Sequence, residues 1–211
     1  MTGQHAKSLL GMTLALIPTA VLAQQAVPRF EVTPFVGYRI GGTFVDSVSE
    51  AEIKLNEGSS FGISLNMRAE ANTQYEITFS HQDTDLDVGS LSAGTTNLDV
   101  AVDYLQLGGT YLWDGEVARP YIVATLGLAR VDPDDAVFNG ETYFAFSIGG
   151  GWKLWPTQRF GLRLEGRFYG SFVDSDTSIF CVSSGGATCL IQSDADVLWQ
   201  WEMTAGASWR F

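Results

Sequence analysis

The final stretch of this chain, Asp194 to Phe211, constrains its fold more than any other. From Val197 onward every second residue is apolar and often aromatic, while most of the residues between them are polar, small or charged, including Glu202 and Arg210. A period of two is typical of a β-strand, whose successive side chains point to opposite faces. About ten tilted residues cross a bilayer, so this pattern favours a strand with one face in lipid and the other inside a closed barrel. The alternative is an edge strand of a soluble sandwich.

The N-terminal segment, Met1 to Ala23, indicates export from the cytoplasm. It has a weakly basic head with His5 and Lys7, then an apolar run, then small residues where a signal peptidase acts. We expect residues 1–23 to be a cleaved signal peptide and residues 24–211 to form one transmembrane β-barrel domain. Beyond this segment, no run approaches the roughly eighteen apolar residues that a spanning helix needs.

The composition agrees with an exported β-protein. Aromatic residues at 12%, 23 glycines and only 17% charged residues suit short strands joined by tight turns. The formal net charge of -12 disfavours a nucleic-acid partner. Cys181 and Cys189 lie in one late polar segment, which in an exported protein predicts a local disulfide, with two free thiols as the alternative.

Eight segments of the chain alternate between apolar and polar residues, as strands do. The fourth changes phase near Tyr104, which we interpret either as a bulge or as an upper part of the strand that stands clear of lipid. The fifth has apolar residues on both faces, so its phase stays open. The eight segments are Phe30–Gly42, Phe61–Glu70, Tyr75–Ser80, Asn97–Trp113, Pro120–Arg130, Thr142–Trp155, Phe160–Phe172 and Val197–Phe211.

The connections between these segments alternate strictly between short and long, and short turns of an outer-membrane barrel are periplasmic. The sequence therefore predicts an all-β fold: an eight-stranded antiparallel transmembrane β-barrel, an up-and-down meander with short periplasmic turns and long extracellular loops. A soluble calyx is the alternative, but the polar face is too poor in Lys for a solvated exterior. The short turns are 71–74, 114–119 and 156–159, and the long loops are 43–57, 84–96, 131–141 and 174–193. We expect a periplasmic aromatic girdle of Tyr75, Tyr111, Trp113, Tyr121, Trp152, Trp155, Trp209 and Phe211.

With this strand pattern, the segments Tyr104–Tyr111 and Arg119–Tyr121, and the terminal strand, the chain resembles the small OmpA/OmpX-like outer-membrane β-barrels of the porin-like outer-membrane β-barrel domain family. The resemblance covers Pro28 to Phe211. It implies an integral protein of the bacterial outer membrane, a monomer that contacts lipid and lipopolysaccharide and is inserted by the barrel-assembly machinery. It also implies that this machinery reads an insertion signal that includes Met203, Trp209 and Phe211. All four long loops are net acidic, so we expect divalent cations to bridge them to lipopolysaccharide.

The residues that could carry chemistry are few. His81 is the only histidine after the signal segment, and the adjacent Ser80 must point to the opposite face of the strand, so the two cannot act as nucleophile and base. Asp132, Asp134 and Asp135 lack the spacing of a calcium-binding loop. We therefore expect no enzymatic activity, no metal and no cofactor. Three functional classes remain: a non-enzymatic structural or surface-interaction barrel, which we favour, a narrow channel for ions or small solutes, and a lipid-modifying enzyme.

The residues that strand parity places inside the barrel include nearly equal numbers of positive and negative side chains. An eight-stranded barrel is just wide enough for side chains to fill it, and charges removed from water persist only when paired. Because the seventh, eighth and first strands are neighbours, we predict a buried network centred on Glu202 with Arg39 and Arg167, and no open pore. The network would extend to Arg163, Glu165, Arg68 and Glu76, while Glu31, Glu70 and Arg210 are candidates for solvated rim positions. The full inward set is Arg39, Arg68, Lys153, Arg163, Arg167 and Arg210 with Glu31, Glu70, Glu76, Glu165 and Glu202.

Overall fold

The structure is a computed structural model of the chain, and it describes residues 29–45, 52–87, 97–133, 140–173, 178–181, 189–192 and 197–211. The signal peptide predicted for residues 1–23 lies outside these ranges. All regular elements of the described part are β-strands. They are β1 Phe30–Gly41, β2 Thr43–Val45, β3 Glu52–Leu55, β4 Gly58–Arg68, β5 Thr73–Asp87, β6 Asn97–Leu112, β7 Ala118–Pro133, β8 Glu141–Leu154, β9 Phe160–Phe172, β10 Ser178–Cys181, β11 Cys189–Gln192 and β12 Val197–Arg210.

Eight of these strands close into a barrel. Strands β4 to β8 each pair with the next strand along the chain, β9 pairs with β12, and β1 pairs with both β4 and β12. Every one of these pairs is antiparallel, so the predicted eight-stranded up-and-down meander is confirmed. Closure leaves no unpaired strand edge in the barrel wall, which is the condition for a sheet to cross a bilayer. Strands β2 and β3 extend the wall beside β5, while β10 and β11 form a separate hairpin.

The two ends of the barrel differ. One end carries the turns 69–72, 113–117 and 155–159, and we call it the short-turn end. At the other end, strands β1, β5, β7 and β9 finish and strands β4, β6, β8 and β12 begin, and we call it the long-loop end after the loops predicted there. From the general rule for outer-membrane barrels, we expect the short-turn end to face the periplasm.

Strands β5, β6 and β7 pair without interruption. The β5–β6 register runs continuously from Thr73 opposite Tyr111 to Asp87 opposite Asn97, and the β6–β7 register is equally regular. There is consequently no bulge at Tyr104, and the phase change seen in the sequence has another cause. The second interpretation, that the upper part of the strand stands clear of lipid, fits the structure.

The pattern of polarity inverts at one level of the wall, although the backbone continues unchanged. Towards the short-turn end, the outward side chains form an apolar band that ends at Phe79, Leu105, Leu128 and Phe144. Two residues further along each strand, the outward positions are polar: His81, Asp103, Arg130 and Thr142. The inversion marks where the wall leaves lipid and enters water.

The interior changes in the opposite sense. Below the inversion it is mainly polar and charged, apart from a small buried cluster of Leu112, Tyr121 and Val123, and above it a larger cluster of apolar side chains fills the lumen. We call this cluster the apolar plug. It consists of Leu55, Leu86, Val100, Val102, Tyr104, Ala129, Val131, Tyr143, Ala145, Tyr169, Val173 and Leu198. The upper wall is therefore built like a small water-soluble barrel, with apolar side chains inside and polar ones outside.

Strand β7 resolves the open phase of the fifth segment. Ile122, Leu126 and Leu128 face outward, whereas Tyr121 and Val123 are buried at 2% exposure each. The predicted girdle is accordingly wrong at two positions, because Tyr121 and Trp155 point into the lumen. Its other members are exposed on the outer surface at the short-turn end: Tyr75, Tyr111, Trp113, Trp152, Trp209 and Phe211. Within the described residues, the chain has no helix long and apolar enough to cross a membrane.

Candidate functional site

The lumen below the apolar plug holds a concentration of buried ionisable groups. Among the described residues, four carboxylates and four cationic groups are buried there, each at 8% exposure or less, so that their formal charges cancel. Removing charges from water costs several kcal/mol per ion unless each finds partners of opposite charge. The four carboxylates are Glu31, Glu76, Glu165 and Glu202, and the four cations are Arg39, Lys153, Arg163 and Arg167.

Glu76 on β5 is the centre of the middle layer. One carboxylate oxygen accepts from Arg167 Nη2 at 2.6 Å, and the other accepts from Arg163 Nη2 at 2.8 Å. Asn66 and Thr110 donate to the second oxygen at 2.8 and 3.2 Å. The fully buried carboxylate therefore has four donors, two of them charged.

Glu165 on β9 joins the same two arginines from the other side. Arg167 Nε donates to its Oε1 at 2.7 Å, and Arg163 donates to its Oε2. The Tyr121 hydroxyl also donates to Oε2, at 2.5 Å. Because Arg163 and Arg167 are each shared by Glu76 and Glu165, these four side chains form a closed ring of ion pairs across the lumen, which we call the central ring.

A second layer lies nearer the short-turn end. Lys153 Nζ donates to Glu31 Oε1 and to Gln74 Oε1, both at 2.7 Å. Arg210 Nε reaches the other oxygen of Glu31 at 3.3 Å, and its guanidinium lies over Trp155, with Cζ 3.2 Å from the ring centroid. Glu31 is therefore a buried carboxylate shared by two cations, although the sequence suggested a rim position for it.

A third layer lies just under the apolar plug. Arg39 Nη2 donates to Glu202 Oε1 at 2.9 Å, and the Tyr169 hydroxyl donates to Oε2 at 2.7 Å. The Arg39 guanidinium also lies between two aromatic rings, 4.9 Å from the Tyr104 centroid and 5.3 Å from that of Tyr169. Cation–π contacts of this kind offset part of the cost of burying the charge. Ser80 completes the layer by donating to Glu202 Oε1.

The structure brings the predicted lumen residues together with one change of partner. Glu202 lies opposite Arg39 on one side and Arg167 on the other, as strand adjacency suggested. The Arg167 side chain nevertheless turns away to Glu165 and Glu76. Of the remaining predicted members, Arg68 lies at the rim, partly exposed.

Several lumen residues were absent from the sequence-based set. The Tyr121 and Tyr169 hydroxyl groups donate to Glu165 and Glu202, and the Tyr104 hydroxyl donates to Gln200 at 2.8 Å. Gln106 accepts from Thr125 and Ser147 at 2.7 Å each. All of them have inward parity, which was the available signal. Tyr121 was missed because it was assigned to the aromatic girdle, and Tyr169 was missed because the predicted lumen set contained only charged residues.

His81 occupies the outer surface, immediately above the apolar band. Its Nδ1 lies 2.6 Å from Asp103 Oδ1 and its Nε2 lies 3.0 Å from Asp83 Oδ1. Burial opposes the charge on the ring, but the hydrogen bonds and charges of Asp103 and Asp83 outweigh it and raise the pKa of His81 above 6.5. Both ring nitrogens donate when the imidazole is charged. Ser80 points into the lumen, so no serine nucleophile accompanies this histidine.

The other predicted sites are placed as follows. Cys181 and Cys189 lie opposite each other in the β10–β11 ladder; their side chains lie outside the described part, so the disulfide stays a prediction. Met203, Trp209 and Phe211 are all exposed on the outer face, and their role as an insertion signal also stays a prediction. Among the described residues, no group of three His, Cys, Asp or Glu side chains could hold a metal ion.

A closed antiparallel barrel with an apolar outer band, a charged interior and a water-exposed upper wall defines an integral membrane protein of the outer-membrane type. A family model for the outer membrane protein beta-barrel domain matches residues 12–211. The chain belongs to this family, and it is an integral protein of the bacterial outer membrane.

Solved structures show the same fold at low sequence identity. Neisserial surface protein A is 16% identical with a TM-score of 0.57, and the match covers 86% of this chain and 97% of that one. OprG from Pseudomonas aeruginosa is 10% identical with a TM-score of 0.55, covering 88% and 96%. The outer membrane protein AlkL is 14% identical with a TM-score of 0.50, covering 100% and 97%. Among curated protein sequences, none matches the chain.

Proposed function

We propose that this protein is a non-enzymatic outer-membrane barrel with a closed lumen, which serves to hold a rigid, acidic surface above the membrane. The observation that carries the proposal is the filling of the lumen. From the short-turn end upward, the Glu31 layer, the central ring, the Arg39–Glu202 layer and the apolar plug follow one another. A solute that crossed this barrel would have to separate ion pairs and then pass through packed apolar side chains.

Electrical recording tests the closed lumen. The purified, folded protein should give no steady conductance of porin size in a planar bilayer, and a heat-unfolded sample of the same preparation serves as control. Steady channels of that size from the folded protein would contradict the proposal and favour a narrow channel instead.

The outer surface above the apolar band supports the second half of the proposal. Its outward side chains are mostly carboxylates, and the pairing of β5 with β6 places Asp85 directly opposite Asp99. Like charges that face each other on a sheet repel, and a bound cation or a cationic partner would relieve that repulsion. The outward carboxylates of this surface are Asp83, Asp85, Asp99, Asp103 and Asp132.

We infer that this surface contacts lipopolysaccharide through divalent cations, because carboxylates and lipid phosphates repel each other without them. Lipopolysaccharide should co-purify with the barrel and dissociate when a chelator is added. The triple variant Asp83→Asn, Asp85→Asn, Asp99→Asn should retain less of it, whereas Glu70→Gln with Glu116→Gln, at the short-turn end, should not. Retention that is indifferent to both the chelator and the triple variant would contradict cation bridging.

The surroundings of His81 support the absence of catalysis. Both ring nitrogens are occupied by carboxylates, and a histidine held in this way has no free nitrogen to accept a proton from a nucleophile. If any hydrolysis of lipid is measured with the purified protein, we expect His81→Gln to leave it unchanged. Loss of hydrolysis in this variant, with the fold retained, would instead support the hypothesis that the protein is a lipid-modifying enzyme.

A further inference from the structure

The short-turn mouth of the lumen contains more positive charge than its carboxylates neutralise. We define the mouth by Glu31, Arg68, Arg119, Trp155 and Arg210. Arg68 follows the inward-facing Asn66 by two residues, and Arg119 precedes the inward-facing Tyr121 by two. Both therefore have inward parity. Arg210 and Asn66 both lie opposite Glu31, and Arg119 lies opposite Lys153, whose side chain reaches Glu31. Three guanidinium groups therefore converge on one opening of a narrow barrel.

The carboxylates near the mouth offset only part of this charge. Glu31 accepts from Lys153 at 2.7 Å as well as from Arg210 at 3.3 Å, so its single charge is shared. Asp114 lies 3.9 Å from Arg119 and its side chain is 91% exposed, which leaves a weak, solvated pair. Glu70 and Glu116 are exposed on the turns. The mouth thus has a net positive charge in a chain that is strongly acidic overall.

Two hydrogen-bond donors at the mouth lack an acceptor among the described residues. They are Arg210 Nη2 and the indole Nε1 of Trp155, which belong to the stacked pair described above. Trp155 is only 7% exposed, and a buried donor without an acceptor costs about 1–3 kcal/mol. Water can accept such hydrogen bonds, but it carries no charge to offset three arginines. An anion satisfies both requirements.

We propose that the short-turn mouth binds a phosphate group, which accepts hydrogen bonds from Arg210 and Trp155 and is held electrostatically by Arg68 and Arg119. A phosphate matches the site because it carries several strong acceptor oxygens and pairs well with guanidinium groups. The phosphate can come from a free ester in the periplasm or from the headgroup of an anionic phospholipid in the inner leaflet. Both sources place the same chemistry at the mouth.

The Trp155 indole provides a direct readout. The protein is labelled with ¹⁵N at its 6 tryptophans, placed in phosphatidylcholine nanodiscs, and titrated with inorganic phosphate against chloride at equal ionic strength. Trp155→Phe identifies the Trp155 signal. We expect this signal to shift saturably while the other indole signals stay nearly constant.

Arginine variants test whether the shift reports the mouth. Arg68→Gln with Arg119→Gln should weaken the apparent phosphate affinity about tenfold or more, since it removes two nearby charges. The matched control is Arg130→Gln, which removes an arginine from the outer surface towards the opposite end and should leave the affinity unchanged. Heat-modifiable migration on gels checks that each variant is folded.

The lipid arm distinguishes the two sources. In phosphatidylglycerol nanodiscs without added phosphate, a shifted Trp155 signal that no longer responds to phosphate assigns the site to lipid headgroups. A response only to dissolved phosphate assigns it to a free phosphate ester. If Trp155 responds to neither, or responds equally in the Arg68→Gln, Arg119→Gln variant, the proposal is overturned.

Discussion

Arg39 and Glu202 form a salt bridge of 2.9 Å from which water is excluded, since their side chains are 0% and 1% exposed. The bridge joins β1 to β12 and so ties together the first and last strands of the barrel. It lies at the boundary between the charged lower lumen and the apolar plug. The pair therefore contributes to closing the wall and to sealing its interior.

Glu202→Ala should lower the free energy of unfolding by about 3–5 kcal/mol, because it leaves the Arg39 guanidinium buried without its carboxylate. Urea unfolding of the folded barrel in detergent measures the change. The double variant Arg39→Met, Glu202→Met removes both charges and should recover much of the loss. A single variant that costs less than about 1 kcal/mol would show that this bridge is dispensable.

Strand parity and adjacency narrow the lumen to a short set of charged residues, because a strand has only two faces and a meander fixes its neighbours, but that set also includes Glu70, which is exposed on a turn. They could not predict the partner of Arg167. Its backbone lies opposite Glu202, yet its long side chain runs along the barrel axis to Glu165 and Glu76. Such a choice depends on rotamers and on competition between carboxylates, neither of which leaves a pattern in the sequence.

Tyr121, Trp155 and Glu31 show a related limit. Aromatic residues at the short-turn end were all assigned to the girdle, although Tyr121 and Trp155 have inward parity and contact Arg163 and Arg210. Glu31 was a candidate for the solvated rim, but Lys153 reaches it from across the lumen. For these three residues, the residue type favoured the outer surface or the rim, whereas strand parity favoured the lumen. The lumen was correct each time.

The inversion of polarity along β6 predicts different tolerances at two outward positions. Leu107→Arg, within the apolar band, should destabilise the barrel by about 2–4 kcal/mol in a bilayer, because it places a charge against lipid. Ala101→Arg, on the same face but above the band, should be nearly neutral, since it lies between Asp83 and Asp132 in water. Unfolding in liposomes measures both. Equal costs would mean that the bilayer extends beyond the inversion.

Removing both cysteines should leave the barrel intact. Cys181 and Cys189 are opposite each other in the β10–β11 hairpin, whose described residues pair with no barrel strand. The Cys181→Ser, Cys189→Ser variant should therefore insert into membranes and migrate as a compact, heat-modifiable band. Failure to insert would show that the hairpin takes part in assembly. Mass measurement of the unreduced wild-type protein after thiol alkylation checks the predicted disulfide itself.

The stability of the upper wall should depend on pH through His81. Its folded pKa lies above the ordinary value of 6.5 because Asp103 and Asp83 outweigh the effect of burial. The charged ring thus stabilises the fold fully below about pH 6.5, and this contribution is lost as the pH rises through the folded pKa. The loss should be at most about 1 kcal/mol, since Asp83 is largely exposed and surface pairs are weak.

Urea unfolding midpoints between about pH 5.5 and 8.5 measure this loss of stability. The window is chosen to lie above the titration of ordinary carboxylates. His81→Gln should make the unfolding midpoint nearly independent of pH in this window, and Asp103→Asn should reduce the slope of the pH dependence. A His81→Gln profile with the wild-type slope would show that the dependence arises from another group.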